Sequence, residues 1–266
     1  MINFRKYGAP PFNVVVVHGG PGAAGEMKPL ALELSPTFGV LEPLQTAGSV
    51  KAQVEELSDV ITRHGDMPVK IIGWSWGAWL SFMLAAGSPD LVEKLILVGS
   101  GAFEEEYALH TMRTRINRLN DSELAELQVL NRALNSPATA DKDDLFQSLG
   151  RLFDKADSYS AMDYEPDMTQ VSFAIYRSVW PEAAEMRRKG MLLRLAQKIR
   201  CPVVAIHGDY DPHPASGVKK ALQKNVKRFR FFLLPKCGHK PWMEKEARDK
   251  FYYILKKELA PVRQIK

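Results

Sequence analysis

Short, mostly apolar runs alternate along the chain with longer stretches whose apolar positions recur every three or four residues. Residues 13–17, 69–72, 95–98, 203–206 and 229–234 are the runs, several of them dominated by valine and isoleucine. Continuous apolar strands of this length fit a sheet buried on both faces. Residues 25–34, 49–64 and 242–259 carry the helical spacing. In 49–64 the side chains of Val50, Val54, Leu57, Val60 and Ile61 fall on one helix face. Residues 40–42 read as one more short strand and 2–5 as a short edge strand. The alternation predicts an α/β fold, a mostly parallel sheet covered by helices on both faces.

The strand pattern stops after residue 100 and resumes near 198. In between, residues 109–119, 121–134, 143–153 and 181–196 read as helices joined by polar links. Asp121 and Ser122 suit the capping of the second, and Pro181 suits the first turn of the last. The expected organisation is a core domain from residues 1–100 and 198–266, with a helical cap insertion at 101–197 over the sheet's carboxyl edge.

Composition narrows the class of protein. The chain has 266 residues, 45% hydrophobic and 25% charged, the balance of an ordinary soluble globular domain. No apolar run approaches the roughly 20 residues that span a bilayer. The first residues, Met1 to Lys6, lack the apolar core of a secretion signal. Cys201 and Cys237 are the two cysteines, and neither sits in a metal-ligand spacing. A reduced, cytoplasmic protein without metal is expected, with a single disulfide between them left open. The net charge of +5 is unevenly spread: residues 101–186 hold 8 basic against 16 acidic groups, and residues 187–266 hold 21 against 6. Most of the basic groups lie on outer faces of amphipathic helices, and no nucleic-acid module is present. Neither nucleic acid nor membrane is an expected partner.

The chemistry gathers at the ends of the predicted strands, where open parallel sheets carry their sites. Residues 69–72 run into Gly73-Trp74-Ser75-Trp76-Gly77, after which a helical pattern begins. Glycines two positions either side of a serine permit a sharp strand-to-helix turn that lifts the hydroxyl above the sheet. The helix that follows presents the positive end of its dipole to developing negative charge. The run at 13–17 delivers His18-Gly19-Gly20-Pro21-Gly22, a loop that brings backbone N–H groups close to a ligand; it lacks the lysine and spacing of a phosphate loop. The run at 203–206 leads into His207-Gly208-Asp209-Tyr210-Asp211, and that at 229–234 into Pro235-Lys236-Cys237-Gly238-His239.

A serine hydroxyl needs a base within hydrogen-bond reach, and His239 is the candidate. A carboxylate must hold that imidazole in one tautomer and stabilise its cation. Both Asp209 and Asp211 qualify. Asp211 is chosen because Asp209 lies close enough to the strand end to bond backbone amides of the turn. The candidate catalytic set is Ser75, Asp211 and His239. Oxyanion donors are expected from the backbone amides of Trp76 and Gly20.

On these motifs, together with Gly238-His239-Lys240-Pro241 and the trailing Glu244, the chain resembles the α/β-hydrolase superfamily over essentially its whole length. The order Ser, Asp, His is the order of that superfamily. The His-Gly-Gly-Pro-Gly loop and the tryptophan after the serine are similar to the proline iminopeptidase branch, which uses carboxylates of the cap to bind a substrate amine. That resemblance implies amine partners among Glu104, Glu105, Glu106, Asp163, Glu165, Asp167 and Glu182, although a solvated acidic helix face accounts for most of them.

The leading expectation is a serine hydrolase that cleaves a small ester or amide through an acyl-enzyme, with no cofactor. Trp74 and Trp180, with Trp76 and Trp79, are candidate substrate-binding walls. The alternatives are a proline iminopeptidase acting on short peptides and a ligand-binding protein that kept the fold without catalysis.

Overall fold

The computed structural model describes residues 3–163 and 170–260. Its strands are β1 (Phe4–Tyr7), β2 (Val14–Val17), β3 (Ala23–Ala24), β4 (Val40–Pro43), β5 (Val69–Trp74), β6 (Val92–Val98), β7 (Gln170–Val171), β8 (Val203–Gly208) and β9 (Phe229–Leu234). Seven of them form one sheet in the order β1-β4-β2-β5-β6-β8-β9, and β3 pairs with β7 apart from it. Only β1 runs antiparallel to its neighbour within the large sheet.

The helices are α1 (Lys28–Leu34), α2 (Val50–His64), α3 (Trp76–Gly87), α4 (Glu105–Arg118), α5 (Asp121–Asn135), α6 (Asp143–Asp157), α7 (Phe173–Arg188), α8 (Met191–Arg194), α9 (Ser216–Asn225) and α10 (Arg248–Leu259). Alternate strand residues sort onto the two faces of the sheet. Val15, Val17, Ile71, Leu95, Leu97, Val203 and Ala205 pack with residues of α2, α3 and α9. Val14, Val16, Ile72, Ile96, Val98, Val204 and Ile206 pack with residues of α1 and α10. Both sets are buried, which is why these strands read as mostly apolar runs. Helix α3 is buried from Trp76 to Ala86, in keeping with a segment that is apolar on every side.

Helices α4 to α8 lie in the chain between β6 and β8. Leu119, Leu127, Leu152 and Ala156 make a small core of their own among α4, α5 and α6. Val179 and Ala183 of α7, Leu192 of α8 and Ala196 pack instead into the main core. The stretch from α4 to α8 is thus anchored at its C-terminal end by the same apolar burial that holds the sheet.

Three local expectations are corrected. The cap of α5 is Asn120, whose side chain accepts the Glu123 amide while the Glu123 carboxylate accepts the Asn120 amide. This reciprocal pair satisfies two amides at once, which Asp121 or Ser122 would not. Helix α7 begins at Phe173, capped by the Ser172 hydroxyl, so Pro181 lies inside it and not in a first turn. Burial of Val179 and Ala183 on either side carries the helix through the proline. Helix α9 has no counterpart among the elements expected from periodicity, because its apolar face is only Gly217, Val218, Ala221 and Leu222. Both cysteines are buried free thiols. Among the described residues no helix is long and apolar enough to cross a membrane.

Candidate functional site

The site begins at the turn between β5 and α3. Ser75 adopts φ 54° and ψ −115°, a conformation costly for any residue with a Cβ. Its neighbours account for the glycines. A Cβ on Gly73 would lie 2.3 Å from the Gly77 carbonyl oxygen, and one on Gly77 would lie 2.3 Å from that of Val17. The Ser75 amide donates to the Val98 carbonyl, so the turn is tied to β6 while its hydroxyl points elsewhere.

That hydroxyl lies 3.0 Å from His239 Nε2. The other ring nitrogen, Nδ1, lies 2.8 Å from Asp211 Oδ2. A carboxylate only accepts, so Nδ1 carries the proton and Nε2 is left to accept from Ser75. Burial pushes the Asp211 carboxyl up, but the charges of His239, His207 and His213 outweigh it and hold the group well below the usual carboxylate range. Burial lowers His239, and the charge and hydrogen bond of Asp211 outweigh that too, leaving its pKa above the ordinary histidine value. Asp209, the other candidate, accepts the Cys237 amide at 3.2 Å, as its place next to the strand end requires.

The glycine-rich loop is held from beneath by His18. Its Nδ1 donates to the Gly19 carbonyl at 2.7 Å and its Nε2 accepts the Gln45 amide at 3.2 Å. Full burial pushes this imidazole down to about 4, so it stays neutral as the two bonds require. Gly20 and Trp76 lie beside Ser75 in the wall of one cavity of about 350 Å³. The Trp76 amide is the first of α3, one of those without an acceptor inside the helix. Its indole is directed away, donating to the Gln53 side chain.

Trp74 and Trp180 both line this cavity. The Trp74 indole donates to the His239 carbonyl at 2.9 Å and packs against Gly19, so the residue also braces the histidine loop. Trp180 stacks on Trp79 with ring centroids 5.9 Å apart and planes 2° apart, and on Tyr176 at 6.2 Å. These rings and Phe146 give the cavity an aromatic wall.

Part of the cavity wall is charged, and sequence reasoning missed it. Arg115 of α4 grips Asp157 of α6 through two hydrogen bonds of 2.8 and 2.5 Å. Lys240 bonds both Glu26 and Asp154, at 3.1 and 2.7 Å. The Asp157 carbonyl accepts the His239 amide, so the end of α6 directly supports the histidine loop. Glu244, buried, accepts the amides of Gly238, Tyr159 and Ser160 and closes that seam. Residues so far apart in sequence leave no local spacing signal; only Lys240, within Gly238-His239-Lys240-Pro241, and Glu244 stood out.

Two of the acidic residues singled out as amine partners do other work. Glu105 pairs with Arg187, and Glu182 accepts the Val50 amide at the start of α2. None of Glu104, Glu105, Glu106, Asp163 and Glu182 lines the cavity around Ser75. Glu165 and Asp167 lie outside the described residues.

The chain is 24% identical to a pimeloyl-[acyl-carrier protein] methyl ester esterase of Neisseria meningitidis serogroup C over 213 residues, which cover 71% of this chain and 70% of that protein. The esterase of the same name from Chromobacterium violaceum is 24% identical over 246 residues, 88% of this chain and 89% of that one. Among solved structures, VinJ superposes with a TM-score of 0.65 at 17% identity, over 96% of this chain and 93% of its own. The family model for the alpha/beta hydrolase fold matches residues 13–246, and the chain belongs to that family.

Proposed function

We propose that the protein is a serine hydrolase that cleaves small esters, with Ser75 as nucleophile, His239 as base and Asp211 as its orienting carboxylate. The observation that carries this reading is the unbroken hydrogen-bond chain from the Ser75 hydroxyl through both nitrogens of His239 to Asp211. It starts from a strained turn and opens into a cavity large enough for a small substrate.

The steps follow from the protonation states. Ser75 Oγ bonds to the substrate carbonyl carbon as its proton passes to His239 Nε2. The carbonyl electron pair moves to oxygen, and the amides of Trp76 and Gly20 take up that charge. Asp211 stabilises the imidazolium. The C–O bond to the leaving group breaks, and His239 returns the proton to the departing alkoxide. Water then attacks the acyl-serine, giving its proton to His239, and collapse of the second adduct frees the acid and reprotonates Ser75.

Esters are favoured over aminoacyl substrates by the state of the cavity's carboxylates. Glu26, Asp154 and Asp157 already bond Lys240 or Arg115, so among the described lining residues none awaits a substrate ammonium. The activity named for the curated relatives, hydrolysis of a methyl ester, lies in the same reaction class. A panel of short acyl esters beside a proline arylamide tests the substrate class. The esters are expected to give kcat/KM values about a hundredfold or more above the arylamide. The reverse order would replace this reading by the iminopeptidase one.

The pH profile checks the base. His239 must be neutral to accept the Ser75 proton, and its pKa in the folded protein lies above the ordinary 6.5. Activity therefore falls as pH drops through that raised value, and the acid limb of kcat/KM has its midpoint above 6.5. A midpoint below 6.5 would mean that Asp211 does not hold the imidazole during turnover.

A further inference from the structure

Asp211 is addressed by more than one histidine. Its Oδ2 meets His239, while its Oδ1 accepts both the backbone amide and the ring Nδ1 of His213, each at 2.9 Å. The His213 ring stacks on the His239 ring, with centroids 4.6 Å apart and planes 28° apart, and it lines the cavity. The third imidazole, His207, donates from Nε2 to the His213 carbonyl at 2.8 Å and thereby holds the backbone that carries the second.

We propose that His213 is a positioning residue for the hydrolysis: its ring saturates Oδ1, locks the carboxylate's rotation, and so directs Oδ2 at His239. The proposal rests on the hydrolase reading above. Without the His213 ring, Oδ1 keeps one backbone donor, and a buried carboxylate with an empty lone-pair direction turns to find another.

The two imidazoles that bond Asp211 are pushed in opposite directions. The groups facing His213 are Asp211 and His207 from β8 and its loop, His239 from the loop after β9, and Arg115 of α4 with its partner Asp157 of α6. Burial, His239 and Arg115 disfavour a charge on His213, and Asp211 favours it. The direction is downward for His213 and upward for His239, so the proton belongs on the histidine that meets Ser75.

The test compares His213→Phe, which keeps a stacked ring and loses the donor, with His213→Asn, which keeps a donor near the place of Nδ1. Active-site titration with a fluorophosphonate normalises each preparation to its reactive fraction. His213→Phe is expected to lower kcat about 10- to 100-fold, the worth of one hydrogen bond to a charged group, with KM changed less than about threefold. His213→Asn is expected to restore most of that loss. The second readout does not need turnover: an NMR titration of the histidine rings in the resting protein. His239, no longer facing a fixed carboxylate, should titrate lower by about half a pH unit or more in His213→Phe, and return upward in His213→Asn. An unmoved His239 midpoint would overturn the proposal, and so would an upward shift, which would mean that His213 merely draws charge from Asp211. If the wild-type protein shows no ester turnover while the His239 midpoint still falls in His213→Phe, the hydrolase reading fails and the positioning survives.

Discussion

Ser75→Ala is expected to lower kcat for ester hydrolysis by about 10⁴- to 10⁶-fold, measured by steady-state kinetics on the best ester of the panel. The substitution removes one oxygen from the cavity wall. The Ser75 amide keeps its bond to Val98, and the glycines that make room for the turn are untouched. Thermal melting should accordingly move by only a few degrees, since the one polar atom that loses its partner is the accepting Nε2 of His239. Ser75→Gly separates strain from chemistry. It should be as inactive as the alanine variant and more stable than it by about 1 kcal/mol, because φ 54° with ψ −115° penalises a Cβ that glycine lacks. Residual activity within about tenfold of wild type in Ser75→Ala would assign the reaction to another group.

Asp211→Asn is expected to cost about 10⁴-fold in kcat at neutral pH. The amide that replaces the carboxylate carries no charge to stabilise the imidazolium. It also donates as readily as it accepts, so His239 can adopt the tautomer with Nδ1 bare and Nε2 protonated, which cannot accept the Ser75 proton. The same change at Asp209 is the control. Its contact is the Cys237 amide at 3.2 Å, which an asparagine oxygen still accepts, so Asp209→Asn should keep activity within about tenfold. Equal losses in the two variants would show that the loop's integrity matters and the charge on Asp211 does not.

Much of the fold could be read from the sequence because its central strands are buried on both faces. Val14 to Val17 and Leu95 to Val98 are unbroken apolar runs for that reason, whereas a strand with one wet face would alternate. The turn at Ser75 was legible because its steric demand falls on positions two residues away, where only glycine fits. The choice between Asp209 and Asp211 followed from distance along the loop. Elements held by tertiary contact were less legible. Pro181 looks like a helix start until Val179 and Ala183 are seen buried on both sides of it. Helix α9 contributes too few apolar positions to stand out. The charged cluster of Glu26, Asp154 and Lys240 joins three distant segments, and no periodicity links them. His213 illustrates the same limit at short range. It follows Asp211 by two residues, yet nothing in that spacing says that its ring turns back onto the same carboxylate.

Covalent labelling with a fluorophosphonate, followed by peptide mass spectrometry, tests the central claim most directly. The account predicts one adduct per chain on the peptide containing Ser75 in the folded protein. Labelling should slow as pH falls through the raised pKa of His239 and vanish in Ser75→Ala and after denaturation. An intact, folded chain that stays unlabelled beside a reacting control hydrolase, or carries its adduct on another residue, would contradict it.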